Sequence, residues 1–349
     1  MNDAPRVRGL RTSDYDYDLP PELIAQHPAP ARDGSRLLVV HRADGTLTDG
    51  RFTDFPALVA PGDALCVNST RVRHARLLAE RPSGAPAEVL LLRPLEGDRW
   101  LAMGRPGSAL QPGKRVTLGP GAEVETLLVR DDGTRVVRFV GLDASAAIAC
   151  YGRVPLPPYI TRDPDAGDDD RYQTVFADRV GSVAAPTAGL HFTVSLLERL
   201  EERGVPVLAL DLQVGPGTFK PVDVEDPGAH PMHAEHAVIP GDTADAIAAV
   251  RARGGALWAV GTTVVRALES RARPDGTVEP GAFETSLLIT PGHRFRAVDR
   301  LLTNFHLPRS TLLMLVAAFA GYDLAMAAYA HAVRERYRFY SYGDAMVII

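Results

Sequence analysis

Residues 256–270 read ALWAVGTTVVRALES, and this stretch decides the fold. Its first five residues are apolar without a break, the pattern of a strand covered on both faces of a sheet. Gly261 then turns the chain, Thr262 or Thr263 is placed to cap a helix, and VVRALES continues with helical spacing. A buried strand feeding a helix through a short turn is the building unit of an α/β domain. Such a turn leaves free backbone N–H groups and two hydroxyls at the carboxyl edge of a sheet, where an anionic or nucleotide-like ligand is accommodated. An ordinary tight turn with a threonine cap reads the same way.

Working outward, strands are expected over residues 35–41, 64–67, 205–214, 285–290, 300–305 and 346–349. Helices are expected from the Thr193 cap to Arg203, from an Asp242 or Thr243 cap to Arg253, over 311–320 and over 323–337. Between residues 75 and 140 the composition changes. Six short β-rich runs are separated by PSGAP, EGD, QPGK, PGA and DDG, with no helix-length pattern among them. Short, regularly spaced strands indicate a small barrel or sandwich. An inserted domain at 75–152, closed by the helix-like ASAAIACYG, therefore interrupts an α/β domain made of 1–74 and 153–349.

A chain of 349 residues has room for two such domains, and 46% hydrophobic with 23% charged residues supplies a sizeable core. The N-terminal residues are polar, so no signal peptide is expected. The most apolar run, 311–320, is too short to span a bilayer and reads as a core helix, so no membrane partner is expected. Cys66 and Cys150 both sit among apolar neighbours, as buried free thiols in a reducing cytoplasm would. A net charge of −5 argues against wholesale coating of nucleic acid but leaves room for a local basic face. Arg71, Arg73, His74 and Arg76 form one such run, and Arg334, Arg336 and Arg338 another.

Chemistry concentrates in three further stretches. Residues 181–193, GSVAAPTAGLHFT, combine small residues with Ser182, Thr187, Thr193 and His191, so that backbone can approach a ligand closely. Residues 230–236, HPMHAEH, hold the densest cluster of titratable groups. They could ligate zinc, yet the HExxH spacing is missing, and an acid/base or orienting pairing of His and carboxylate fits better. Residues 303–315, TNFHLPRSTLLML, put Asn304 and His306 just past a strand and before a Ser310-capped apolar helix. No GxGxxG, GxxxxGK[ST] or GxSxG occurs, so a dinucleotide fold, a P-loop and a serine hydrolase are unsupported.

Taken together, these segments resemble the QueA family, the S-adenosylmethionine:tRNA ribosyltransferase-isomerases of queuosine biosynthesis. The likeness runs over essentially the whole length. It is carried in order by YDYDLPPELIAQHP, RDGSRLLVV, FPALVAPGDALCVNSTRV, LPPYI, RYQTVFA, GSVAAPTAGLHFT, VGPGTFKPV, MHAE, AVGTTVVRALES, VDRLLTNFHLPRSTLLMLVAAFAG and YRFYSYGDAM. The family often has Asp at the place of Ser69, Leu at Pro216 and Ser at Ala234, and commonly Ser and Thr at Val265 and Ala267.

The resemblance implies a mixed-sheet α/β domain with an inserted small β-barrel domain. It implies transfer and isomerisation of the ribosyl part of S-adenosylmethionine onto 7-aminomethyl-7-deazaguanine at the wobble position of tRNA, giving epoxyqueuosine-tRNA, adenine and methionine. Acceptors would be the tRNAs for Tyr, His, Asn and Asp. Neither a metal nor a bound cofactor is implied, since the sulfonium compound is consumed as a substrate. On this basis His191, His233 and His306 are expected acid/base groups, with Glu235 orienting His233. Asn68, Pro186, Thr187, Gly189, Thr262, Thr263, Arg266 and Asn304 are expected S-adenosylmethionine contacts, and Arg71, Arg73 and Lys220 are expected contacts to RNA phosphates. A cytoplasmic monomer is expected.

Overall fold

The structure, a computed structural model, describes residues 9–215 and 222–349. Leu257–Val260 lies in the middle of its larger sheet, as the apolar run requires. Its side chains alternate between two cores. Leu257 and Ala259 join one apolar cluster, with Val264 and Leu268 of the helix Thr262–Ser270 and with Leu313 and Val316 of the helix Thr311–Ala320. Trp258 and Val260 join the other, with Phe52, Phe55, Phe192, Leu196 and Leu200. The indole is anchored as well as buried. Trp258 Nε1 donates to Asp63 Oδ2 at 2.8 Å while Asp63 Oδ1 accepts from the Ala256 amide at 2.8 Å.

Among the described residues that sheet has nine strands, in the order Gly281–Thr285, Glu235–Ile239, Val207–Leu212, Ala64–Asn68, Leu257–Val260, Arg300–Asn304, Ala345–Ile348, Arg36–Val40, Leu47–Arg51. The run from Val207–Leu212 to Arg300–Asn304 is parallel. Antiparallel neighbours flank it on both sides, so the sheet is mixed. Its parallel centre presents several carboxyl ends side by side, which is where a ligand site forms in such sheets.

A second sheet is drawn entirely from residues 76–153. Its order is Gly152–Arg153, Arg76–Glu80, Pro86–Pro94, Arg99–Arg105, Arg135–Val140, Ala122–Val129, Arg115–Gly119, and Glu80 on the second of these strands also pairs with Thr117 on the last. It has its own apolar core around Leu77, Val89, Leu91, Val116, Val124 and Val137. The protein is thus a mixed α/β fold with more than one sheet. Among the described residues no single helix is long and apolar enough to cross a membrane. Thr311–Ala320 meets Tyr322–Arg334 at a 116° bend, and most of its length is core.

Several local expectations are corrected. Gly261, at φ 95°, is itself the residue before the helix, and no side-chain cap forms there, because Thr262 and Thr263 already lie in the first turn. The helix Gly241–Ala252 begins one residue before Asp242, and Thr243 Oγ1 instead donates to the Ala209 carbonyl at 2.7 Å. The strand expected at 285–290 is Gly281–Thr285, paired with Glu235–Ile239. Cys66 is buried but Cys150 is exposed on the short helix Ala144–Tyr151. The Thr193 and Ser310 caps form as expected, accepting from Leu196 and Leu313 amides at 3.1 and 3.2 Å.

Candidate functional site

A cleft of roughly 650 Å³ opens past the carboxyl ends of Val207–Leu212, Leu257–Val260 and Arg300–Asn304. Each strand delivers part of its wall: Val214, then Gly261 to Thr263, then Asn304 to Leu307. The opposite wall is Ala185, Pro186, Thr187 and Ala188, where the absence of bulky side chains leaves the width. Tyr159 and Tyr340, whose ring centroids are 4.6 Å apart, add flat surface. The loop at 181–193, the GTT turn and the TNFH segment therefore meet at one place although they are far apart in the chain.

The cleft carries polar atoms that the fold leaves unsatisfied. Among the described residues Asn304 Oδ1 and Thr263 Oγ1 are buried and have no hydrogen-bond partner, with the two side chains 2% and 8% exposed. Leaving such atoms unpaired in a folded core costs about 1–3 kcal/mol each, so they mark a place where a ligand or a water completes the bonding. His306 lines the same cleft, half-buried, with Nε2 2.8 Å from Thr303 Oγ1 and its amide donating to Tyr329 Oη at 2.9 Å. Loss of water around the imidazole pushes its pKa down to about 3, so it is neutral near pH 7 and can accept a proton.

His191 sits elsewhere than expected. Its ring is buried, tilted against Phe52 with ring centroids 5.0 Å apart, with Nδ1 2.8 Å from Ser35 Oγ and Nε2 accepting from Asn304 Nδ2 at 3.1 Å. Burial, with a smaller contribution from Arg338, pushes its pKa down to about 3. It lines a small recess with Arg32 and Tyr342 on the far side of Asn304 and does not line the cleft. Gly189 is also absent from the wall. A Cβ there would lie 2.6 Å from Phe176 Cζ and 2.8 Å from Thr174 Cγ2, so packing behind the loop demands the glycine.

A larger cavity, roughly 1340 Å³, adjoins the cleft, with Val214 and Leu312 lining both. It is walled by the 230–236 stretch and Arg266 on one side and by Arg93, Asp132 and Thr134 from the second sheet on the other. Glu235 and Arg266 form an ion pair there, each side chain 6% exposed. Glu235 Oε1 also accepts the Gly215 amide at 3.1 Å, and Arg266 Nε donates to the Leu287 carbonyl at 3.0 Å. The carboxylate expected to orient His233 is thus engaged with Arg266, and His233 lies exposed at the rim.

Asn68 lines neither cavity. Its amide ties two strand ends together, Nδ2 donating to the Leu212 carbonyl at 2.9 Å and Oδ1 accepting the Leu212 amide at 3.0 Å. Arg71 is exposed, while Arg73 is half-buried with its guanidinium 4.9 Å from the Trp100 ring centre. Lys220 and Pro216 lie outside the described residues. Among the described residues no three His, Cys, Asp or Glu side chains group so as to hold a metal ion. Sequence reasoning missed Tyr159, Tyr340 and Ser341 in the cleft wall. The one signal for Tyr340 is conformational: it stands at φ 71°, a left-handed backbone that a bulky residue rarely adopts.

The sequence profile described as queuosine biosynthesis protein matches residues 12–348. An S-adenosylmethionine:tRNA ribosyltransferase-isomerase from Symbiobacterium thermophilum is 53% identical, over 97% of this chain and 100% of its own. Another from an Anaeromyxobacter species is 52% identical, over 97% and 99%. Among solved structures, the S-adenosylmethionine tRNA ribosyltransferase of Thermotoga maritima superposes with a TM-score of 0.55 at 37% identity, over 96% of this chain and 99% of its own.

Proposed function

The chain belongs to the queuosine biosynthesis protein family, and from that membership we infer that it is an S-adenosylmethionine:tRNA ribosyltransferase-isomerase. The reaction is transfer and isomerisation of the ribosyl part of S-adenosylmethionine onto 7-aminomethyl-7-deazaguanine at the wobble position, with release of adenine and methionine. The acceptors are the tRNAs for Tyr, His, Asn and Asp. Beside that membership, the observation that supports this reading is the cleft itself. It is walled by small residues and tyrosines, and bears two buried polar atoms without partners among the described residues. A flat, hydrogen-bonding nucleoside suits it.

Pro186, Thr187, Thr262, Thr263 and Asn304 are the S-adenosylmethionine contacts in this reading. His306 is the acid/base group, because its imidazole lines the cleft, in reach of the carbon next to the sulfonium, and is neutral near pH 7. The adjoining cavity, with Glu235, Arg266 and His233, takes the recipient nucleotide, so that amine and sugar meet where the two spaces join at Val214 and Leu312. Arg71, Arg73 and Lys220 are assigned to RNA phosphates, which makes binding weaken with salt.

The second sheet is read as an inserted β-barrel domain over 75–152 between α/β parts 1–74 and 153–349. The Glu80–Thr117 pairing between its second and last strands and its separate core support that division. S-adenosylmethionine is a consumed substrate and no cofactor is invoked. A cytoplasmic monomer is part of the same reading. The test is turnover with tRNA carrying the aminomethyl base and S-adenosylmethionine labelled separately in ribose and methyl. Ribose label in RNA together with adenine and methionine release supports the reading. Methyl label in RNA would make the protein a methyltransferase instead.

A further inference from the structure

Asn304 is held on one side only. Its Nδ2 group points at His191 Nε2 at 3.1 Å, at the Tyr340 carbonyl at 3.2 Å and at the Asp344 carbonyl at 3.5 Å. Two of these are carbonyl oxygens, which accept and never donate. Turning the amide over would set Oδ1 against both of them, so the orientation is fixed. His191 Nε2 must then be the unprotonated nitrogen, and its Nδ1–H donates to Ser35 Oγ at 2.8 Å. The consequence falls on the other amide atom. Asn304 Oδ1 is buried, has no partner among the described residues, and belongs to a side chain in the cleft wall.

The backbone around Asn304 is built for this. The Tyr340 carbonyl that receives Nδ2 belongs to a residue at φ 71°, and its amide donates to the Phe305 carbonyl at 3.1 Å. A non-glycine residue is held in that conformation only where its surroundings over-determine it. His191 is itself immobilised between Ser35 and the Phe52 ring. The unpaired acceptor therefore belongs to a cleft-wall side chain whose orientation the protein cannot easily change.

We propose that Asn304 Oδ1 accepts the exocyclic amine of adenine and so selects adenosyl over 6-oxopurine ligands, with His191 a positioning residue that sets the Asn304 amide. This rests on the reading that the cleft takes S-adenosylmethionine. Of the donors on that nucleoside, the amine is the one whose replacement by oxygen turns attraction into repulsion, because two acceptors then face each other. His191 carries no proton to substrate in this scheme. Its function is to be an acceptor at Nε2.

The experiment is calorimetric binding of two unreactive ligands, S-adenosylhomocysteine and its 6-oxo counterpart S-inosylhomocysteine, to wild type and three variants. Wild type should prefer the adenosyl ligand by roughly 30-fold, the effect of one mismatched buried hydrogen bond. Asn304→Ala should bring the ratio below about threefold. His191→Phe, which keeps a ring against Phe52 but removes the acceptor, should lower the ratio, and His191→Gln, which restores an acceptor, should recover it. A merely structural role for His191 would weaken both ligands together and leave the ratio unchanged. An undiminished ratio in Asn304→Ala, or no preference in wild type, overturns the inference while leaving the cleft assignment standing. Failure of wild type to bind either ligand overturns the cleft assignment and the inference with it.

Discussion

The carboxylate of Glu235 and the guanidinium of Arg266 meet in an ion pair in which each side chain retains 6% of its exposure. Glu235 opens an antiparallel strand and Arg266 sits one helical turn past Thr263, so the pair ties the outer strands to the helix that follows the GTT turn. Removing one partner leaves the other charge buried without compensation, which costs about 3–5 kcal/mol. Glu235→Leu and Arg266→Met should each lose stability on that scale in urea unfolding. The double variant Glu235→Leu/Arg266→Met should lose clearly less than the sum of the two single changes. Additive losses would show that the pair contributes nothing as a pair.

Acid should unfold this protein through its buried imidazoles. His191 has its folded pKa pushed down to about 3 by burial, below the roughly 6.5 of an unfolded histidine. Between those values the unfolded chain binds the extra proton. Stability is therefore complete above about pH 6.5 and is lost as pH falls toward 3, at up to about 1.4 kcal/mol per pH unit for this group. His306 acts with the same sign. Urea melts from pH 7.5 to 4.5 should show the slope, and His191→Phe should reduce it by about one proton. An unchanged slope in that variant would mean that His191 is charged in the folded protein.

The sequence was most informative where burial is periodic. Residues 256–260 could be assigned to a doubly covered strand because apolar side chains on both faces leave an unbroken run. The segments 181–193, 256–270 and 303–315 could each be singled out, since small residues and hydroxyls past a strand are local patterns. Which histidine faces the ligand was not legible. His191 and His306 both sit in apolar frames, and what turns His191 away is a bond to Ser35, 156 residues distant. The same reason hid Tyr159 and Tyr340, whose rings meet only after folding. Gly261 reads as a turn with a threonine cap after it, because the sequence does not display φ. Cys150 was misplaced for want of contrast: in ASAAIACY nearly every side chain is small, so no face stands out as the buried one.

His306 is the imidazole on the cleft wall, and its removal should be felt in turnover. Loss of general acid–base help typically costs 10²- to 10⁴-fold, so His306→Ala should lower kcat by at least about 100-fold. S-adenosylhomocysteine binding should change little, because the hydrogen bond at Nε2 goes to Thr303. With its pKa held down to about 3, His306 stays a neutral base through the assay range, and kcat/KM in wild type should show no acid limb near pH 6.5. Turnover within about threefold of wild type would remove His306 from the mechanism.

The two thiols should behave as opposites. Cys66 lies on the central strand Ala64–Asn68, and burial pushes its thiol up to about 12, so almost no thiolate exists at pH 8 and no reagent reaches it. Cys150 is exposed near the end of Ala144–Tyr151. The thiolate is the nucleophile, so a disulfide reagent at pH 8 should titrate one thiol in the native protein and the second only as the sheet opens. Cys150→Ser should abolish the fast reaction, and in that variant the slow reaction of Cys66 reports opening of the central sheet directly. Saturating the cleft with S-adenosylhomocysteine should slow that reaction, because a ligand bound to the folded state alone raises the free energy of opening. Two fast thiols in the native protein would contradict the position of Cys66 in the core.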